Sequence, residues 1–263
     1  MSMKRRQRTY AIGLVVLVVI AAGSLYYKNA HLSGAQKNGS ITITVPERGS
    51  GVFLDNKHKT VTTKADQEVT FKKLDDKVHS ILVDTPGAYP WYKAFDLSKD
   101  KSPALTSYAV ATTLSKIEIL TSDPKYQSVK TVVEKAALPS ITSKKRSANG
   151  NVDLWVDAAT NSIHAEWIGD PGTLPRFFCP LGTCSPHLVI LNGKTPIRSV
   201  DFFKNREDVI IVAIDNSISA LELDISPPQN FQPIFLGTAP RFDQPENGIL
   251  FIESGATLSV VRY

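Results

Sequence analysis

The stretch VIIVAIDNSISALEL, Val209–Leu223, decides the fold class. Two apolar runs, Val209 to Ile214 and Ile218 to Leu223, flank Asp215-Asn216. Asp and Asn tolerate the left-handed backbone that a tight hairpin turn requires. Upstream, Val152 to Val156 and Ile163 to Ile168 flank Ala158-Ala159-Thr160-Asn161; downstream, Ile249 to Ile252 and Thr257 to Val261 flank Ser254-Gly255. The first two hairpins start about 55 residues apart and the last two about 40. A period near 40 with several strands per unit is the spacing of propeller blades. Ser199–Phe203 and Phe231–Leu236 then serve as the inner and outer strands of the middle unit. Residues 151–263 hold fewer than the roughly four blades of a closed propeller. The reading is therefore an open or partial antiparallel β domain; recruitment of residues 98–140 and completion by a partner chain are the other ways to satisfy it.

Ahead of this region, period-two alternation begins at Ile41-Thr42-Ile43-Thr44-Val45. Short strands follow at Val52–Leu54, Lys59–Thr63, Glu68–Phe71 and Val78–Val83, separated by turns at Pro46–Gly51, Asp55-Asn56 and Asp75-Asp76. Residues 41–97 thus form a small all-β module. Residues 98–150 read as a connector with one helix at about 125–138, where Val129, Val132, Val133 and Ala136 fall on one face and Pro139 stops the run. SITSKKRSANG, 140–150, reads as a linker or exposed loop.

Val45-Pro46, Gly51–Asn56, Val78–Val83 and Gly87-Ala88-Tyr89-Pro90-Trp91, in that order, resemble a PEGA domain, a β module of surface-layer-associated proteins. The likeness spans about 55 residues and departs from the pattern at Asn56, at the inserted Ala88 and at Asp75-Asp76. It implies a small β-sandwich-like module displayed outside the membrane. Ile197–Phe203 through Ala220–Asp224 is similar to blades of bacterial propeller-like repeat proteins, without a Trp-Asp signature.

Formal net charge is +5, yet Lys4, Arg5, Arg6 and Arg8 all precede residue 10 and no acid occurs before residue 28. The remaining chain carries only +1, which gives no reason to expect nucleic acid as a partner. The basic segment 1–10 is followed by AIGLVVLVVIAAGSLYY, 11–27, and a polar tether, 28–40. The apolar run is apolar all round and near the minimum span of a bilayer helix. Positive charge before it predicts a single-pass signal anchor in a bacterial cell membrane, N-terminus cytoplasmic and C-terminal region extracytoplasmic, with the lipid bilayer as partner. Ala21-Ala22-Gly23 keeps cleavage as a signal peptide open.

The two cysteines, Cys179 and Cys184, then lie in an oxidising compartment and are expected to form a disulfide. Half a metal site with His187 is the alternative, and His31, His58, His79 and His164 form no cluster that would complete it.

No nucleophile elbow, metalloprotease motif, P-loop or dinucleotide fingerprint is present. Asp201, Asp208, Asp215 and Asp224 recur near strand ends without the alternating spacing of a calcium loop. No catalytic, cofactor-binding or metal residues are therefore assigned. Trp91, Trp155, Trp167, His164, Glu166 and Asp170 are the candidate binding surface, the aromatics as a stacking platform and the polar groups beside them. His164 and Glu166 share a strand face. The expected function is non-catalytic display or binding at the cell envelope, toward an envelope protein, a polysaccharide or further copies of the chain. An anchored or secreted enzyme acting on cell-wall glycan and a periplasmic oligomeric scaffold are the alternatives.

Overall fold

A computed structural model describes residues 38–263, and these build five β-sheets. The predicted membrane segment 11–27 and the basic cluster before it lie outside the described residues. Among the described residues no helix is long and apolar enough to cross a membrane.

The strands, in chain order, are β1 (Gly39–Val45), β2 (Gly51–Leu54), β3 (His58–Val61), β4 (Gln67–Leu74), β5 (Val78–Asp84), β6 (Trp91–Asp96), β7 (Ala104–Thr106) and β8 (Ser115–Glu118). After helix α1 (Tyr126–Lys135) come β9 (Lys145–Arg146), β10 (Val152–Asp157), β11 (Ser162–Trp167), β12 (His187–Asn192), β13 (Ile197–Phe202), β14 (Val209–Ile214), β15 (Ser217–Glu222), β16 (Phe231–Leu236), β17 (Arg241–Glu246), β18 (Ile249–Ser254) and β19 (Thr257–Arg262).

Sheet I runs β4-β1-β7 and sheet II runs β3-β2-β5-β6. Their inward residues, Ile41, Ile43, Val45, Val69 and Phe71 from one and Val52, Ile81, Val83, Trp91 and Phe95 from the other, share one core. The alternating burial of β1 is the direct product of its Ile-Thr-Ile-Thr pattern. β1 pairs antiparallel with β4 but parallel with β7.

Sheets III (β12-β11-β10-β9), IV (β13-β14-β15-β16) and V (β17-β18-β19-β8) are four-stranded and antiparallel. None closes into a barrel or propeller. They stack, with sheet IV in the middle. Ile210 and Val212 of β14 pack with Val152, Leu154, Ile163 and Ala165 of sheet III. Val209, Ile211 and Ala213 face the other way, into the core that holds Leu250, Ile252 and Val261 of sheet V. A strand buried on both faces reads as an unbroken apolar run, as 209–214 does. Asn161, Asp215 and Gly255 take the positive φ their hairpin turns need.

The connector departs from the expectation of linker and loop. β7 joins sheet I, β8 closes the edge of sheet V by pairing with β19, and β9 starts sheet III inside the predicted exposed loop. Each is two to four residues long, too short to show a period. α1 ends at Lys135, ahead of the predicted 138; Val129 and Val133 pack on Leu258, while Val132 points to solvent. The helix covers the free face of sheet V; among the described residues it makes no such packing on sheet III.

Candidate functional site

A cleft of about 470 Å³ lies where sheet II, sheet IV and the loop after β11 meet. Its wall begins with β6. Trp91, Lys93 and Phe95 occupy the inward phase of that strand, so the alternation buries a lysine with two aromatics. Lys93 is 1% exposed. Its Nζ donates to Glu222 Oε2 at 2.9 Å and to the Asp224 carbonyl at 3.0 Å, and Asp224 Oδ2 lies at 3.5 Å.

Glu222 also accepts from the Trp91 indole, from the Asn230 backbone N–H at 3.2 Å and from the Asn230 side-chain amide at 3.0 Å. Burial pushes its carboxyl above the ordinary range, and Lys93 and Asn230 work against that rise. Asn230 in turn takes the place of a strand neighbour for β6. Its amide accepts from Tyr92 N–H at 3.0 Å and donates to the Tyr92 carbonyl at 2.9 Å.

The second wall comes from Arg176, which donates to Asp100 and to Asp224 at 3.0 and 3.3 Å. Arg206 donates to Asp208 and to the carbonyls of Thr106 and Ser107. Glu207 accepts from Ser147 Oγ and Asn151 N–H. Every charged side chain lining the cleft therefore already holds a partner. Asn149 and Asn205 stand exposed at its margin, and Phe177 and Leu105 supply apolar wall. The Cys179–Cys184 disulfide is formed. Its loop reaches sheet IV through Leu181 N–H, which donates to Ser226 Oγ at 3.0 Å.

The six sequence-predicted residues divide among three places. Trp91 belongs to the cleft floor, 2% exposed. Trp155, His164 and Glu166 meet on the outer face of sheet III, as period two requires. Trp167 faces the other way, packing on Phe178, and its indole donates to the Asp170 carbonyl. Asp170 caps the next turn by accepting from Gly172 N–H at 2.9 Å. Among the described residues no hydrogen bond or ion pair joins Asp170 to His164 or Glu166, so the polar members of the candidate surface do not form one group.

On the outer face of sheet III, Lys144 bridges Glu166 and the Trp155 ring, its Nζ 4.4 Å from the ring centroid. His164 and the unpredicted His187 join through Nδ1 and Nε2 at 2.9 Å. Their rings and that of Trp155 are near parallel, with centroids 5.1 to 5.3 Å apart. A three-high column would part the outer rings by about 7 Å, so the group is not a stack.

His164 Nε2 contacts Ser162 Oγ at 2.7 Å, Ser162 contacts Thr160 Oγ1 at 2.6 Å, and Thr160 donates to Asp157 Oδ2 at 2.9 Å. The carboxylate can only accept, which fixes the direction of the chain. Thr160 spends its proton on Asp157, Ser162 gives its own to Thr160, and His164 Nε2–H donates to Ser162. Serine thus faces a donor, not a base, and this Ser–His contact is no nucleophile pair.

β9, β13 and β17 bring together Lys145, Asp201 and Asp243, and Lys145 Nζ meets Asp201 at 2.9 Å. Burial and the neighbouring Asp201 raise the Asp243 carboxyl. Among the described residues no three His, Cys, Asp or Glu side chains converge to hold a metal ion.

The missed residues Lys93, Glu222 and Asp224 left one signal in the sequence, charge at inward positions of apolar strands. A scan against protein-family models finds no match to the chain, and a search of curated proteins finds none either.

Proposed function

We propose that this chain is a membrane-anchored extracytoplasmic β protein that binds or displays, without catalysis, at a bacterial cell envelope. In this reading sheets I and II are the PEGA-like module. Sheets III, IV and V are an open, propeller-like array of three blades, capped at one end by α1. The basic cluster and apolar run at the N-terminus supply the anchor, and the disulfide suits an oxidising compartment.

The observation that carries the non-catalytic part is the saturation of the junction cleft. Glu222, the carboxyl most displaced by burial there, accepts from Trp91, Lys93 and Asn230. A general acid or base needs a free, mobile proton site, and this cleft offers a fixed hydrogen-bonding surface instead. Strand edges are poorer docking sites than this cleft. β12 carries a bulge opposite Ile163/His164, β16 holds Pro233 and β17 holds Pro245, all devices that blunt edge pairing.

Protease treatment of spheroplasts carrying a C-terminal tag tests the topology; the tag is expected to be digested from outside. Retention of envelope polysaccharide or protein by the purified region 38–263 tests binding, with Phe177→Ala expected to weaken it. A protected tag overturns the topology, and an ectodomain that retains no envelope component overturns the binding.

A further inference from the structure

The turn after β11 carries an arrangement that lies beyond the binding reading. Residues 169–173 are Gly-Asp-Pro-Gly-Thr. The main-chain oxygen of Asp170, which is the oxygen of the Asp170–Pro171 peptide bond, accepts three hydrogen bonds. They come from Trp167 Nε1 at 3.0 Å, Thr173 N–H at 2.9 Å and Thr173 Oγ1 at 2.9 Å. The Asp170 carboxylate is held against the same backbone, because Oδ1 accepts from Gly172 N–H. Gly169 makes room for the indole: a Cβ there would lie 2.5 Å from Trp167 Cζ2.

We propose that Asp170–Pro171 is a self-cleaving peptide bond. The protonated Asp170 carboxyl attacks its own main-chain carbonyl carbon through an oxygen, closing a five-membered ring. The negative charge that develops on the carbonyl oxygen falls on a position already faced by three donors. The C–N bond then breaks, and the carboxyl proton passes to the Pro171 nitrogen, which leaves as a secondary amine. A cyclic anhydride remains at Asp170, and water opens it to two carboxyl groups. One water is consumed and nothing is oxidised or reduced. Asp170, Pro171 and Gly172 are exposed, so water reaches the site. Trp167, Gly172 and Thr173 face Asp170, and no ion pair among the described residues includes it. Holding nucleophile and carbonyl together supplies the proximity that intramolecular reactions exploit.

The chain contains its own control. Asp123–Pro124 has the same dipeptide and the same turn, with Lys125 N–H on Asp123 Oδ1 at 2.8 Å and Tyr126 N–H on the Asp123 carbonyl at 2.9 Å. Among the described residues no indole or hydroxyl reaches that carbonyl. The turn alone is therefore common to both bonds, and the side-chain donors are not. A cut at 170/171 leaves the pieces interlocked, since β12 pairs with β11 and β19 with β8 across it.

The test is incubation of the full detergent-solubilised chain at pH 5 and 37 °C with intact-mass readout. Pieces 1–170 and 171–263 are expected, forming at least about tenfold faster than cleavage at 123/124, with the difference lost in urea. Hydroxylamine is expected to trap the anhydride as a hydroxamate on Asp170. Trp167→Phe and Thr173→Val should each slow the 170/171 cut about tenfold or more while leaving 123/124 unchanged. Thr173 is exposed, so that variant keeps the test alive if Trp167→Phe unfolds. Equal rates at the two bonds in the folded chain, an uncut chain, or cleavage that survives in Asp170→Ala would overturn the proposal.

Discussion

Sheets III and IV share one architecture and face opposite environments. β14 of sheet IV is buried along nearly its whole length, with sheet III on one side and sheet V on the other. β11 of sheet III buries Ile163 and Ala165 on one face and leaves His164 and Glu166 half-buried on the other. In the doubly covered sheet the most deeply buried charge is partnered, Glu222 by Lys93. On the singly covered sheet, titratable groups line up in a hydrogen-bonded row. The number of covered faces decides what side-chain chemistry a sheet can hold, because a buried charge without a partner is prohibitively costly.

The strongest way to break that contrast is to remove the cation at the edge of sheet IV. Lys93→Met keeps the volume and leaves Glu222 and Asp224 buried without it. The expected loss is about 3–5 kcal/mol in urea unfolding. The double variant Lys93→Met/Glu222→Leu should recover most of the loss, since it removes the stranded charge as well. A single variant within 1 kcal/mol of wild type, on the order of an exposed ion pair, would show that charge does not fasten the sandwich to sheet IV.

A smaller effect is expected at the loop that ties sheet III to sheet IV. Replacing Cys179 and Cys184 by Ser opens a ring only a few residues long, and chain-entropy reasoning gives roughly 2 kcal/mol. Hydrogen exchange at the Leu181 amide, which donates to Ser226, should accelerate in step with the lost stability. Unchanged exchange there would show that the loop is held by its own turn and not by the disulfide.

The sequence made the three hairpins of sheets III, IV and V legible, because each couples two apolar runs to a turn that needs Asn, Asp or Gly. β1 to β5 were readable as short strands separated by turns. β7, β8 and β9 were not, since their pairing is set by partners far along the chain; β8 joins β19 near the C-terminus. The same limit governs the sites. Trp155, His164 and Glu166 could be placed on one face by period two. Trp91 meets Glu222 across 131 positions, and no local pattern reports such a distance. Lys93 was the exception that could have been read, a lysine in phase with Trp91 and Phe95.

The smallest expected effect concerns the open face of sheet III and carries a definite sign. The His164–His187 bond has one proton between two nitrogens, so the pair keeps it with at most one of the two rings charged. Burial first, and the proximity of His187 second, lower the His164 pKa below its ordinary 6.5. A histidine whose folded-state pKa is depressed binds its proton more readily when unfolded. Its contribution to stability is therefore complete above pH about 6.5 and is lost as pH falls from there toward the folded value. The melting temperature of the wild type should decline over that window, modestly because the ring is only half-buried, and His164→Gln should flatten the decline. Burial raises the Glu222 carboxyl, so its protonation favours the folded state as pH falls and cannot produce this decline. A decline that persists unchanged in His164→Gln would place the acid-sensitive group elsewhere and remove the distinction between the wet face and the dry sheet.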